Sequence, residues 1–144
     1  MLFFLDIDGV MVPAKSWKAP ECLHDGFPAF SARASHTLQQ MLGEEDTVML
    51  TTSHKANYSI AVWKQMFKLR GIDIKNMAAL PESNHAVSRG EEIMNWFLAN
   101  HVQEDFIIID DDNSLHALPH FLKKKWVQPK PFMGLTEEDI ITTC

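Results

Sequence analysis

The chain has 144 residues, of which 46% are hydrophobic, and a formal net charge of -6 at pH 7. That length suits one domain with a proper core, and the acidic balance argues against a broad basic surface for duplex nucleic acid, leaving only a local groove. Two cysteines, Cys22 and Cys144, make no disulfide framework, so a reducing cytoplasmic setting is expected. No run approaches the ~20 apolar residues of a membrane span, and Met1 to Leu5 is too short an apolar stretch before the first Asp to act as a signal peptide.

The opening stretch Leu2-Phe3-Phe4-Leu5-Asp6-Ile7-Asp8-Gly9-Val10 starts with four consecutive apolar residues and so has no polar face. It reads as a strand buried on both sides, as in a parallel sheet covered by helices. Asp6 and Asp8 then fall where the strand leaves the sheet. Burying a carboxylate is costly unless it is paired or bound to a metal, so this pair points to a divalent cation in a crevice. Gly9 allows the sharp turn there. From about residue 10 to 30, Pro13, Pro20 and Pro28 exclude a long helix. A flap or extended loop carrying Trp17, Cys22 and His24 is expected, either a surface excursion or one wall of a pocket.

Ala34, Leu38, Met41 and Leu42 give a helix from Ser31 to about Leu42, and Thr47-Val48-Met49-Leu50 a second strand. That strand ends in Thr51-Thr52-Ser53-His54-Lys55, hydroxyls that either cap the next helix or offer donors to an anion. Ile60, Trp63, Met66, Phe67 and Arg70 fit the following helix, with Gly71 as its stop and Trp63 in its core. A weaker strand is expected at Met77-Ala78-Ala79-Leu80, closed by Pro81. Ser88-Arg89-Gly90-Glu91 has capping-box spacing and starts a helix with Ile93, Trp96 and Phe97 on its buried stripe. Arg89 in the first turn opposes the helix dipole, a local conflict that hints at an anion site.

The strand Phe106-Ile107-Ile108-Ile109 ends in Asp110-Asp111-Asp112, which repeats the logic of the first strand. A helix broken at Pro119, a last strand at Trp126-Val127 and a capped terminal helix from Thr136 complete the chain, and Lys123-Lys124-Lys125 reads as a solvated run. His116 and His120 are four apart, but Pro119 spoils the helical geometry that would align them as ligands, and the histidines show no zinc-site spacing with cysteines. Strands alternating with helices, all polar clusters at the strands' carboxyl ends, make a doubly wound α/β domain with one site at those ends.

With that pattern in place, Asp6-Ile7-Asp8-Gly9-Val10 resembles motif I of the haloacid dehalogenase (HAD) superfamily. Thr51 after Val48-Met49-Leu50 is similar to its motif II, and Asp110-Asp111 to its motif IV. The resemblance runs over nearly the whole chain in the right order. It departs at motif III, where the family usually has a lysine and this chain has Arg89, with Lys55 a second candidate for that charge.

The resemblance implies a mainly parallel five-stranded sheet of order 5-4-1-2-3, flanked by helices with no separate cap, in a single domain over residues 1–144. It implies a Mg²⁺-dependent phosphomonoester hydrolase. Asp6 would be the nucleophile, forming a phosphoaspartate, and Asp8 the acid and base. Thr51 would bind a phosphate oxygen and Arg89 would neutralise charge on the phosphoryl group. Asp6, the Asp8 backbone carbonyl and Asp111, helped by Asp110, would hold Mg²⁺. The substrate is a phosphorylated compound that the resemblance does not identify, and nucleic acid enters only as a phosphoester substrate. Two other classes remain on the same fold: a non-catalytic metal- or phosphate-binding module, and a phosphoacceptor signalling domain similar to response-regulator receivers. The receivers place their acceptor Asp after the third strand, where this chain has Leu80-Pro81.

Overall fold

A computed structural model of the chain describes residues 1–14, 21–81, 87–101 and 104–141; Trp17, Pro20 and Cys144 lie outside them. The elements are β1 (Leu2–Leu5), α1 (Ala32–Met41), β2 (Thr47–Leu50), α2 (Ile60–Leu69), β3 (Asn76–Ala79), α3 (Arg89–Asn100), β4 (Phe106–Ile109), α4 (His120–Lys123), β5 (Trp126–Val127) and α5 (Glu137–Ile141). The five strands form one sheet in the order β3-β2-β1-β4-β5, and every pair is parallel. This is the doubly wound arrangement the sequence predicts, with β1 in the middle. Among the described residues no second domain stands over the sheet, and no helix is long and apolar enough to cross a membrane.

The register decides where the site forms. Leu5 is level with Leu50 on one side and with Ile109 on the other. The next residues out, Asp6, Thr51 and Asp110, therefore leave the sheet side by side. The ladder even continues one step past the strands: Asp6 donates its N–H to Ile109 O at 3.0 Å and Thr51 donates to Leu5 O at 2.9 Å.

The unbroken apolar run of β1 is explained by its two covered faces. Phe3 and Leu5 join Val48, Leu50, Ile107 and Ile109 in a core closed by Leu38 of α1 and by Trp63 and Phe67 of α2. Leu2 and Phe4 point the other way, against Ile93 of α3, Leu115 in the turn after β4, and Leu122 of α4. Phe4 meets Trp96 and Phe97 with ring centroids 5.3 and 5.2 Å away. Trp63 is fully buried and donates its indole N–H to Lys55 O at 3.2 Å, so it is core, as its helical position predicts.

Three helices start on serine caps. The hydroxyls of Ser31, Ser59 and Ser88 accept from the backbone N–H of Ala34, Val62 and Glu91, each at 3.2 Å, a contact worth about 1 kcal/mol apiece. At α5 the reciprocal arm is formed instead: Asp139 accepts from the Thr136 N–H at 2.9 Å and from its hydroxyl at 3.2 Å. β3 begins and ends one residue earlier than its apolar run, because Asn76 pairs with Thr47; Leu80 stays buried and still donates to Leu50 O at 2.9 Å. Lys125 leaves the solvated run to pair with Asp105 at 2.9 Å.

The described part of the flap, residues 21–30, is held by a residue the helical pattern treats as ordinary. Arg70, immediately after α2, has a side chain only 2% exposed and pairs with Asp25 at 2.7 Å. It also donates to the carbonyls of Phe27 at 2.9 Å, Pro28 at 2.9 Å and Met66 at 2.8 Å. The Phe30 ring lies 5.0 Å from the guanidinium carbon. Arg70→Ala would strand a carboxylate and three carbonyls, and should lower stability by roughly 2–4 kcal/mol. Denaturant midpoints, with proteolysis around residues 21–30 as a second readout, check this.

Candidate active site

Where β1, β2 and β4 end together, three acidic side chains converge. Asp6, Asp110 and Asp111 each offer a carboxylate oxygen within 4.8 Å of the others. Asp6 is 5% exposed and Asp110 fully buried. Oxygen-only donors of this kind suit a hard divalent cation such as Mg²⁺.

The electrostatics make the same point. Burial, with the Asp110 charge beside it, pushes the Asp6 carboxyl up to about 9 against the pull of Arg89. Burial also raises Asp111. The cluster thus lacks enough positive charge to ionise fully, which is the condition a bound cation relieves.

Asp110 is the hub. Its Oδ2 accepts from the Arg89 Nη1 at 2.7 Å and the Thr51 hydroxyl at 3.0 Å, and its Oδ1 from the Asp112 N–H at 3.0 Å. The same Arg89 nitrogen lies 3.3 Å from Asp6 Oδ1. Burial opposes charge on Arg89, but Asp110 and Asp6 outweigh it and hold the guanidinium protonated.

Close packing fixes the walls. Gly9 has φ +80°, and a Cβ there would run into the Asp111 carboxylate. A Cβ on Gly90 would come within 2.8 Å of Ser114 O, and the Gly90 N–H donates to Ser114 Oγ at 3.0 Å. The start of α3, and Arg89 with it, is thereby pinned to the turn that follows β4.

Asp6, Arg89, Asp110 and Asp111 therefore come together, with Thr51 behind Asp110. Asp8 stands apart: its carboxylate is 60% exposed and its Oδ2 lies 2.9 Å from His54 Nε2. The Asp8 carboxylate is therefore not part of the acidic cluster. The Thr51 hydroxyl is buried and engaged with Asp110, and Thr52 accepts the His54 N–H at 3.2 Å, which leaves Ser53 as the exposed hydroxyl of that group. Lys55 is not at the cluster: it is buried against Glu92 of α3 at 3.6 Å. Asp112 caps the next turn by accepting the Ser114 N–H at 2.8 Å.

Sequence reasoning missed the braces on the acidic loop. Trp126 donates its indole N–H to Asp110 O at 2.8 Å, and Gln128 its amide to Asp111 O at 3.3 Å. Nothing in the spacing announces contacts between segments so far apart in the chain.

The pKa shift has a measurable consequence. An acid whose folded value is raised keeps its proton when the unfolded chain has lost it, so its contribution is intact below 3.8 and is lost progressively as pH rises toward about 9. In chelator, Asp6→Asn should therefore melt higher than wild type, by a few degrees at pH 5 and by roughly 5–10 °C at pH 8. Millimolar Mg²⁺ should narrow that gap. Calorimetry at the two pH values, with and without Mg²⁺, checks both statements.

A model of the family described as "HAD domain in Swiss Army Knife RNA repair proteins" matches residues 2–140. No curated protein and no solved structure matches the chain. The match spans all five strands and every residue of the acidic cluster. The chain belongs to this family of HAD domains, and through it to the haloacid dehalogenase superfamily.

Proposed function

We propose that the protein is a Mg²⁺-dependent phosphomonoester hydrolase acting through a phosphoaspartate on Asp6, and that phosphorylated RNA ends are its substrates. The observation that carries the reading is the buried cluster of Asp6, Asp110 and Asp111 beside Arg89, with a second carboxylate, Asp8, two residues beyond Asp6. The RNA part is supported by the family description, which names RNA repair proteins, and by a sheet end with no cap domain over it among the described residues.

A Mg²⁺ ion held by Asp6, Asp111 and the Asp8 carbonyl would screen the repulsion between a carboxylate and a phosphate dianion and orient the phosphoryl group. The chain's residues do the rest. Asp6 attacks phosphorus as the bond to the leaving oxygen breaks, and the Asp8 carboxyl gives that oxygen its proton. Water then attacks the phosphoaspartate, its proton passes to Asp8, and the bond from phosphorus to Asp6 breaks to release phosphate. Arg89 supplies fixed positive charge; Nη1 serves Asp6 and Asp110, and its fork has further N–H donors for phosphoryl oxygens. Thr51 follows β2 level with Asp6; its hydroxyl proton goes to Asp110 here, so its part is to hold Asp110, and binding a phosphate oxygen would require the hydroxyl to turn from that carboxylate.

Wild type should release phosphate from p-nitrophenyl phosphate and from 5′- or 3′-phosphorylated oligoribonucleotides with Mg²⁺ and stop in chelator. Asp6→Asn should abolish release while remaining folded. Residual activity within a few-fold of wild type would sink the nucleophile assignment.

Arg89→Lys keeps the charge but loses the planar guanidinium's remaining N–H donors, those left for phosphoryl oxygens. It should retain about a tenth of kcat, and Arg89→Ala less than about a hundredth. Steady-state rates on one substrate, measured beside wild type, check the order.

A further inference from the structure

We propose that His54 is a positioning residue for Asp8, holding its carboxylate where it exchanges protons with the leaving oxygen and with water. This rests on the phosphatase reading above.

Asp8 is the most exposed of the assigned side chains, 60% open to solvent on the turn after β1. A free aspartate there would sample several rotamers, and proton transfer needs its oxygen within hydrogen-bond reach of the reacting atom. His54 Nε2 lies 2.9 Å from Oδ2. With Oδ2 occupied, Oδ1 is the oxygen left for proton exchange.

His54 is itself fixed. Its N–H donates to Thr52 Oγ1 at 3.2 Å, and its carbonyl accepts from Asn57 N–H at 2.9 Å. Its ring stands at 90° to the Phe27 ring, centroids 5.8 Å apart. Phe27 is 5% exposed and packs edge-on against Trp63 at 5.5 Å and Tyr58 at 6.0 Å. Its N–H is held by Asp25 at 3.0 Å and its carbonyl by Arg70 at 2.9 Å. A continuous line of packed and hydrogen-bonded groups thus runs from α2 through Arg70 and the flap to His54 and Asp8. A histidine serving only the core would not aim a ring nitrogen at an exposed carboxylate.

The leaving group separates proton delivery from general damage. A ribose alkoxide must be protonated to depart, whereas p-nitrophenolate leaves unaided. His54→Phe keeps a ring against Phe27 and removes the nitrogen; His54→Gln returns an amide N–H of similar reach.

For His54→Phe, kcat on a 3′-phosphorylated oligoribonucleotide should fall about 10- to 100-fold with KM within about 2-fold of wild type. The first-turnover burst of p-nitrophenolate should stay within about 2-fold, while the later hydrolysis of the phosphoenzyme slows, since water attack also needs Asp8. His54→Gln should recover part of the loss; should His54→Phe fail to fold, the Gln variant against wild type still shows the split. Equal losses in the nitrophenolate burst and the alkoxide reaction, or unchanged turnover of the oligonucleotide, would overturn the positioning role alone. No turnover of either substrate by wild type would overturn the phosphatase reading, and this inference with it.

Discussion

Three carboxylates crowded at the end of a buried sheet, with one guanidinium among them, are the constraint to which the rest of the structure answers. Asp6, Asp110 and Asp111 repel one another where water cannot screen them. Arg89 offsets part of that repulsion and must be delivered from a different helix. Several features follow from this need: the serine cap that starts α3 at Arg89, the glycine that lets α3 lie against the turn after β4, and the hydroxyl of Thr51 turned toward Asp110.

The sheet supplies the other half of the solution. Parallel strands in step bring residues distant in sequence to one line, so Asp6, Thr51 and Asp110 need no long loops to meet. Rigid strands, with the ladder continuing one residue past their ends, hold such groups more closely than mobile loops would. Trp126 and Gln128 extend that order to the acidic loop, because β5 lies beside β4, and Trp126 within it and Gln128 just after it donate back onto the carbonyls of Asp110 and Asp111.

Much of this is legible in the sequence because it is local. Apolar runs of three or four residues followed by Asp or Thr mark β1, β2 and β4 and their ends, and Ser88 three residues before Glu91 marks the start of α3. The sheet order came from family resemblance; no single run specifies which strand lies beside which. Contacts that join distant segments were not legible. Arg70 looks like one more residue of the α2 pattern, yet its partners are some 42 to 45 residues away in the flap. The turn of Asp8 toward His54, which packs on Phe27 of the flap, likewise joins segments far apart in the chain. The one-residue shift of β3 reflects pairing with β2, which hydrophobicity does not encode.

The way Arg70 grips residues 25–28 also bears on kinetics. A segment tied to a helix end through a buried guanidinium moves with that helix. Phe27, held in this way, stands against the His54 ring before any ligand arrives, so binding spends no free energy on forming that contact. Encounter itself takes place in the field of a chain with a net charge of -6. For an anionic ligand that field is repulsive at long range, and added salt speeds the approach by screening it.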